Sequence, residues 1–443
     1  MTRIVIRNGT VLDQQGQRRA DVVIVDGVIT DVTPALMPDV APTLMPDVAP
    51  TLMPDDAVEL DATGCIVSPG FVDLHVHLRE PGREDAETIE TGSRAAALGG
   101  FTAVVAMPNT EPAHDTLATI EFVRAQGRRA GLCEVSPAGC ITVGRAGQQL
   151  APFGELARAG VRVFTDDGNG VQDAALMRRA LEYAGPLGIT LAQHCEVASL
   201  TAGAVMHEGS CCGHLGLPGW PSLAEELMVH RDIELVRLTG TPVHLLHLST
   251  MRSVALVRAA KADGLPITAE AAPHHFTLTD ALLATFDAVY KVNPPLRTAD
   301  DIAAIKAGLA DGTIDAIATD HAPHPPEAKE APLDQAPPGM LGLETALALS
   351  ITELDIPLDQ IVAALSWKPA RIAGLDQRHG RPIIAGEPAN ITVFDPAATW
   401  TVVPSALASK SRNTPYAGRT VRGKVRHTVF EGTAVVVNSV AQR

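Results

Sequence analysis

Lysine is nearly missing from most of this chain: there are seven, the first is Lys261, and the preceding 260 residues carry none. No amine side chain is therefore available for chemistry over that stretch. Basic charge as a whole is short, with 35 lysines and arginines against 51 aspartates and glutamates and a formal net charge of -16. That balance argues against non-specific binding of nucleic acid or of anionic membranes, where a basic patch is expected. Long hydrophobic runs are also missing. No apolar stretch reaches the roughly 18–20 residues of a membrane span, and MTRIVIRNGTVLD at the N-terminus alternates charged and apolar residues where a secretory signal would hold an apolar block. The six cysteines (Cys65, Cys133, Cys140, Cys195, Cys211, Cys212) form no CxxC pair and no regular spacing, which fits reduced thiols in a cytosolic protein.

What is present is an ordinary globular composition, 46% hydrophobic and 19% charged over 443 residues, enough for one large domain and a smaller one. The first segment, TRIVIRNGTVLD and ADVVIVDGVITDV, reads as short alternating strands joined by Asn-Gly and Asp-Gly turns. An octad then repeats, LMPDVAPT at 36–43 and 44–51 and LMPDDAVE at 52–59. It is too short and too proline-rich for a solenoid, and reads as a duplicated surface loop without a catalytic part. From about residue 67, eight apolar runs alternate with helical stretches: GFVDLHVH, GFTAVVAMPN, GLCEVSPAG, GVRVFTDD, GITLAQH, TPVHLLHLS, LPITAEAAPHH and IDAIATDHAPH. Eight strand–helix units predict an α/β fold, a parallel (β/α)8 TIM barrel over 67–382. Strand patterns return after about residue 382, so 1–66 and 383–443 are expected to pair into one small β-domain.

The active site of such a barrel lies at the C-terminal ends of its strands. Those ends collect His75, His77, Asn109, Asp166 with Asp167, His194, His247, and Asp320 with His324. A single histidine at a strand end is more often a structural group, but six independent runs ending this way are hard to dismiss. Side-chain alternation sharpens the choice. His75 and His77 project together, with Val76 on the other face. In VRVFTDD, Asp167 shares a face with Val161, Val163 and Thr165, while Asp166 shares one with Arg162, which a barrel interior would hardly accept. In PVHLLHLS the same count puts His247 with Val243 and Leu245, and marks His244 as structural. Four histidines and two aspartates suit zinc, with manganese or cobalt as substitutes, and six ligands suggest two metals sharing a bridging group. Paired metals deprotonate a bridging water at neutral pH, which points to hydrolysis.

These stretches resemble the type I dihydroorotases of the amidohydrolase superfamily. DLHVHLREPG at 73–82 looks like the family's first signature, and ATDHAPHPPEAK at 318–329, ending on Lys329, like its second. VFTDDG, AQHCE, LLHLST, KVNPPLR and GLETALAL follow in the family's order, so the resemblance covers essentially the whole chain. It implies a zinc-dependent cyclic amidohydrolase that interconverts (S)-dihydroorotate and N-carbamoyl-L-aspartate. His75, His77 and Asp320 would hold the first zinc, His194 and His247 the second, and Asp167 would bridge them. Relatives bridged by a carboxylated lysine are excluded as a template, since no lysine precedes Lys261. Asp320 would be the catalytic proton carrier, next to a hydroxide activated between the metals. Arg79, Asn109 and His324 would clamp the substrate carboxylate, Asn293 would contact the ring, and His77, Pro338 and Gly339 would complete the substrate contacts.

Residues 325–341 read as a mobile loop able to cover the site, with Leu333 and Pro338 where the family often has phenylalanine. The resemblance further implies a cytoplasmic homodimer, with association with aspartate carbamoyltransferase as a further partner. Two alternatives compete. A hydantoinase or allantoinase would not need the arginine of HLREPG or the histidine of DHAPH, and a non-catalytic scaffold subunit would have lost metal ligands that this chain keeps.

Overall fold

The structure, a computed structural model, describes residues 3–34 and 57–443. The octad repeat lies outside the described residues except for its last three positions, which open the strand Ala57–Asp61.

The eight apolar runs become eight barrel strands: β1 (Phe71–Val76), β2 (Phe101–Ala106), β3 (Glu134–Pro137), β4 (Val163–Phe164), β5 (Thr190–Gln193), β6 (Val243–Leu245), β7 (Ile267–Ala271) and β8 (Ala316–Ile317). Neighbours pair in parallel from β1 to β3 and from β4 to β8. Parallel bridges between Gly139 and Phe164 and between Val76 and His321 close the ring. Helices such as Ile89–Leu98, Leu117–Ala130, Ala174–Ala184 and Met251–Ala262 return the chain between strands. Their starts follow local chemistry: the hydroxyls of Thr88, Thr116 and Thr250 and the carboxylate of Asp173 each accept a hydrogen bond from a first-turn N–H.

Alternation along the strands sorts two apolar layers. Val72, Leu74, Ala103, Val105, Val163, Ala192, Leu246 and Ala316 fill the barrel, plugged by Ala370 from the helix Trp367–Ile372 and by Ala373, which caps its C-terminus. Phe71, Phe101, Val104, Phe164, Leu191, Val243 and Leu245 face the helices. The two termini share one sheet, in which Ile66–Pro69 pairs antiparallel with Ile391–Thr401 and parallel with Thr10–Asp13. Ile4, Ile6, Val22, Ile24, Val393 and Val429 form its separate core. No helix among the described residues is long and apolar enough to cross a membrane.

Candidate active site

Six strands deliver polar side chains to one mouth of the barrel, by three different local devices. In β1 the register with β2 slips between Asp73 and Val76, so His75 and His77 turn into the mouth while Val76 packs outward. Asp73 sits at the slip and accepts from His75 N at 3.1 Å and Thr319 N at 3.0 Å. Burial pushes its carboxyl up to about 7. In β4 and β5 plain alternation suffices: Val163 and Ala192 fill the barrel, and Asp167 and His194 follow on the same face.

After β6 the alternation argument fails, although His247 does line the cavity. Val243 and Leu245 face the helices, and it is His244 that points into the barrel. His247 reaches the site because its backbone is left-handed, at φ 31°, one residue beyond Leu246. Asp320 (φ 48°) and Arg79 (φ 62°) are held the same way. Such conformations cost roughly 1–3 kcal/mol each for non-glycine residues and concentrate where function fixes a side chain.

Asp167 is the centre of the arrangement. Its Oδ1 lies 3.3 Å from His75 Nε2, 3.4 Å from His194 Nδ1 and 3.7 Å from His247 Nε2, and its Oδ2 lies 3.5 Å from His77 Nε2. Burial alone would raise its pKa, but His75 and the bonds from His194 and His247 hold it well below the carboxylate range. Asp320 Oδ1 is 3.1 Å from His77 Nε2 and 3.5 Å from His75 Nε2. Against burial, His75 and His77 hold it low as well, so it stays ionised. Asp166 is turned away: it accepts from the main-chain N–H of Ile141 at 2.9 Å and of Thr142 at 3.0 Å, and from the Thr142 hydroxyl.

The donor set fits divalent metal. Ligand atoms of His75, Asp167 and His247 lie within 4.8 Å of one another, as do those of His75, His77 and Asp320. His75 Nε2 is buried without a hydrogen-bond partner, and His194 Nδ1 stands 2.9 Å from His247 Nε2. A buried ring nitrogen without a hydrogen-bond partner, facing carboxylates and with imidazoles crowded beside it, is the chemistry of an N/O metal site. His75 belongs to both groups because it is packed between the two aspartates.

The cavity above these groups has a volume of about 240 Å³ and is lined by His77, Arg79, Asn109, Asp167, His194, His247, Asn293, Asp320, His324, Pro338 and Gly339, among others. His75 lies beneath it, fully buried. Arg79 Nε donates to Pro323 O at 3.1 Å, and its Nη2 lies 3.3 Å from His324 Nε2. Burial and the Arg79 charge push His324 down to about 2, so its ring is neutral at ordinary pH. Asn109 has a second task, since its Oδ1 lies 2.9 Å from His77 Nδ1 and orients that ring. The segment 325–341 packs as a wall: Leu333 and Ala336 are buried with Leu349, Val402 and Tyr416, and Pro338 and Gly339 face the cavity.

Sequence reasoning missed the groups that hold the histidines. Glu270 Oε1 is 3.0 Å from His75 Nδ1, and its Oε2 is 3.0 Å from His244 Nε2. His244 Nδ1 lies 2.9 Å from the Thr268 hydroxyl, and Glu196 Oε2 lies 2.9 Å from His194 Nε2. The Asp167 and Glu196 carboxylates outweigh burial and raise His194 to about 9. A signal existed for Glu270: Thr268 and Glu270 are two polar residues on one face of the strand ITAEA.

A family model described as dihydro-orotase-like matches residues 64–253. Dihydroorotases of Pelotomaculum thermopropionicum and Streptomyces coelicolor are 48% and 46% identical, each over 99% of this chain and 99% of the relative. That of Mycobacterium tuberculosis is 48% identical over 94% of each. Among solved structures, an L-hydantoinase (dihydropyrimidinase) from Arthrobacter aurescens superposes with a TM-score of 0.84 over 100% of this chain and 98% of its own, at 23% identity. The structural match establishes the barrel-plus-sheet fold, and identity along the full length establishes the rest: the chain belongs to the dihydroorotase family.

Proposed function

We propose that this chain is a dihydroorotase, catalysing the reversible hydrolysis of the ring amide of (S)-dihydroorotate to N-carbamoyl-L-aspartate in pyrimidine biosynthesis. The supporting observation is a single cavity that joins a buried imidazole–carboxylate cluster at one end to the Arg79–His324 pair at the other. The first suits attack on an amide, and the second suits a ring that carries a carboxylate.

In this reading His75, His77 and Asp320 would hold one zinc ion and His194 and His247 a second, with Asp167 available to both. When bound they supply Lewis acidity and lower the pKa of water. Arg79 offers planar paired donors to the ring carboxylate. Asn109 and the neutral His324 add hydrogen bonds beside it, and Asn293, Pro338 and Gly339 set the ring's position. Asp320, ionised and facing the cavity, takes the proton from the attacking water and delivers it to the leaving ring nitrogen. In the reverse direction it returns that proton. A cytoplasmic location, a homodimer, and association with aspartate carbamoyltransferase belong to the same proposal.

The test is a carbamoyl-aspartate assay after metal removal and zinc re-addition, with Asp320→Asn alongside. Activity is expected to vanish and return in the wild type. The variant is expected to lose turnover while retaining bound metal. Near-normal turnover by Asp320→Asn would remove Asp320 from its role, and a wild type inert toward dihydroorotate but active on a hydantoin would favour that class instead.

A further inference from the structure

The second signature ends on Lys329, a residue that no step above employs. Its Nζ donates to the main-chain carbonyls of Pro337 at 2.8 Å, Ala288 at 3.0 Å and Lys291 at 3.3 Å. Lys291 mirrors it, donating from Nζ to Leu333 O at 2.7 Å and Asp334 O at 3.4 Å, while its own carbonyl accepts from Gly339 N at 2.9 Å. The two lysines thus tie the segment 325–341 to the strip that carries Val292 and Asn293. Both tied strips line the cavity, one through Pro338 and Gly339 and the other through Val292 and Asn293.

All of these bonds go to neutral carbonyls, and neither lysine forms an ion pair among the described residues. Arg79 stands in the same neighbourhood, and its other partners are also uncharged, the Pro323 carbonyl and the His324 ring. Three cationic side chains therefore gather at one end of the cavity without a bonded carboxylate. Repulsion within the group is visible at Lys329, which burial first, then the Lys291 charge, pushes down to about 7; Arg79 is pushed down to about 10 by burial and by the nearby Arg83. A buried charge without a partner is costly and calls for a counter-ion. The opposite end of the cavity is already acidic, through Asp167 and Asp320. The Asp287 and Asp334 charges act on the two lysines only without a direct bond, and an anionic ligand group at the end away from Asp167 and Asp320 would supply the bonded partner that this end lacks.

We propose that Lys329 is a specificity-determining and positioning residue: its charge, one backbone layer behind Pro338–Gly339, selects cyclic amides bearing a ring carboxylate over uncharged ones, while its three hydrogen bonds hold the wall that shapes the ring pocket. This rests on the dihydroorotase reading and deepens it, because a cyclic amidohydrolase for neutral rings has no use for the charge.

The experiment compares wild type with Lys329→Gln, Lys329→Met and Lys329→Arg, measuring KM and kcat for dihydroorotate. Competitive Ki values are taken for the anion orotate and for neutral dihydrouracil. At pH 6, below the value of about 7 to which Lys329 is pushed, it carries its full charge, and a unit charge at a distance on the order of 10 Å with an effective dielectric near 20 alters anion affinity by roughly fifteenfold. Lys329→Gln and Lys329→Met are therefore expected to raise KM and the orotate Ki by about tenfold or more. The dihydrouracil Ki should stay within about twofold, kcat within about threefold, and Lys329→Arg should recover most of the loss. A purely structural role would raise both Ki values in proportion, and that result, like no change in either, overturns the inference. Because the readout is a ratio within one variant, partial loss of folded protein does not disturb it. A wild type that fails to turn over dihydroorotate overturns the functional reading instead.

Discussion

Removing the Glu270 carboxylate separates the support of the site from the site itself. Glu270 is fully buried, and burial opposes its charge, but His244 and His75 hold it down to about 2. An ionised carboxylate only accepts, so both facing ring nitrogens must carry their protons there. For His75 that fixes a proton on Nδ1, so Nε2, toward Asp167 and Asp320, is the nitrogen a metal would take. Glu270→Ala leaves two buried N–H groups without acceptors, at about 1–3 kcal/mol each, so a stability loss of about 2–6 kcal/mol is expected in metal-free protein.

Loss of the partner that fixes a ligating histidine typically weakens metal binding about 10- to 100-fold. Glu270→Gln should be milder. Its amide oxygen can still accept from His75, and its NH2 can face His244, whose proton then moves to Nδ1 and donates to the Thr268 hydroxyl. Only the charge assistance is lost, about half the strength of the bond, so zinc affinity should fall by about tenfold or less. Zinc affinity by chelator competition and unfolding of the metal-free proteins by urea provide both readouts without an activity assay. The reasoning fails if Glu270→Ala binds zinc within about twofold of wild type, or if Glu270→Gln is the more damaging change.

Asp166→Ala should destabilise the fold by roughly 2–6 kcal/mol, since it orphans the buried N–H groups of Ile141 and Thr142, yet change zinc affinity little; Asp167→Ala should do the reverse, and chelator competition beside urea melts would show the contrast. Glu344 accepts from Ala408 N at 2.8 Å, and burial outweighs this bond to push its carboxyl up to about 7 from an ordinary 4.5. A raised folded pKa means that this group's contribution is fully present below pH 4.5 and declines as pH rises to about 7, so Glu344→Gln should gain stability on wild type across that window, and equal pH slopes in urea melts would contradict it.

The sequence carried the parts of this protein whose signals are local. Eight apolar runs separated by helical stretches became eight barrel strands in the expected order, since strand and helix periodicities are written within each segment. The termini paired in one sheet, and the residues DLHVH, FTDD, AQH and ATDHAPH came to one mouth because strand ends of a parallel barrel must lie together. The missing lysines likewise exclude a lysine-derived bridge from the first 260 residues.

What only tertiary structure decided is how each side chain reaches its place. The slip in β1 and the left-handed backbones at His247 and Asp320 depend on packing from neighbouring strands, and the one at His247 turns that ring into the mouth although Val243 and Leu245 on the same alternation face the helices. Segment 325–341 reads as a mobile cover by composition, yet it is tied through Lys291, 34 residues upstream of its start, and through the apolar cluster around Leu349 and Tyr416. Glu270 meets His75 across 195 residues of chain. Contacts of that separation form only when the barrel closes, so residue types and spacing within one segment cannot announce them.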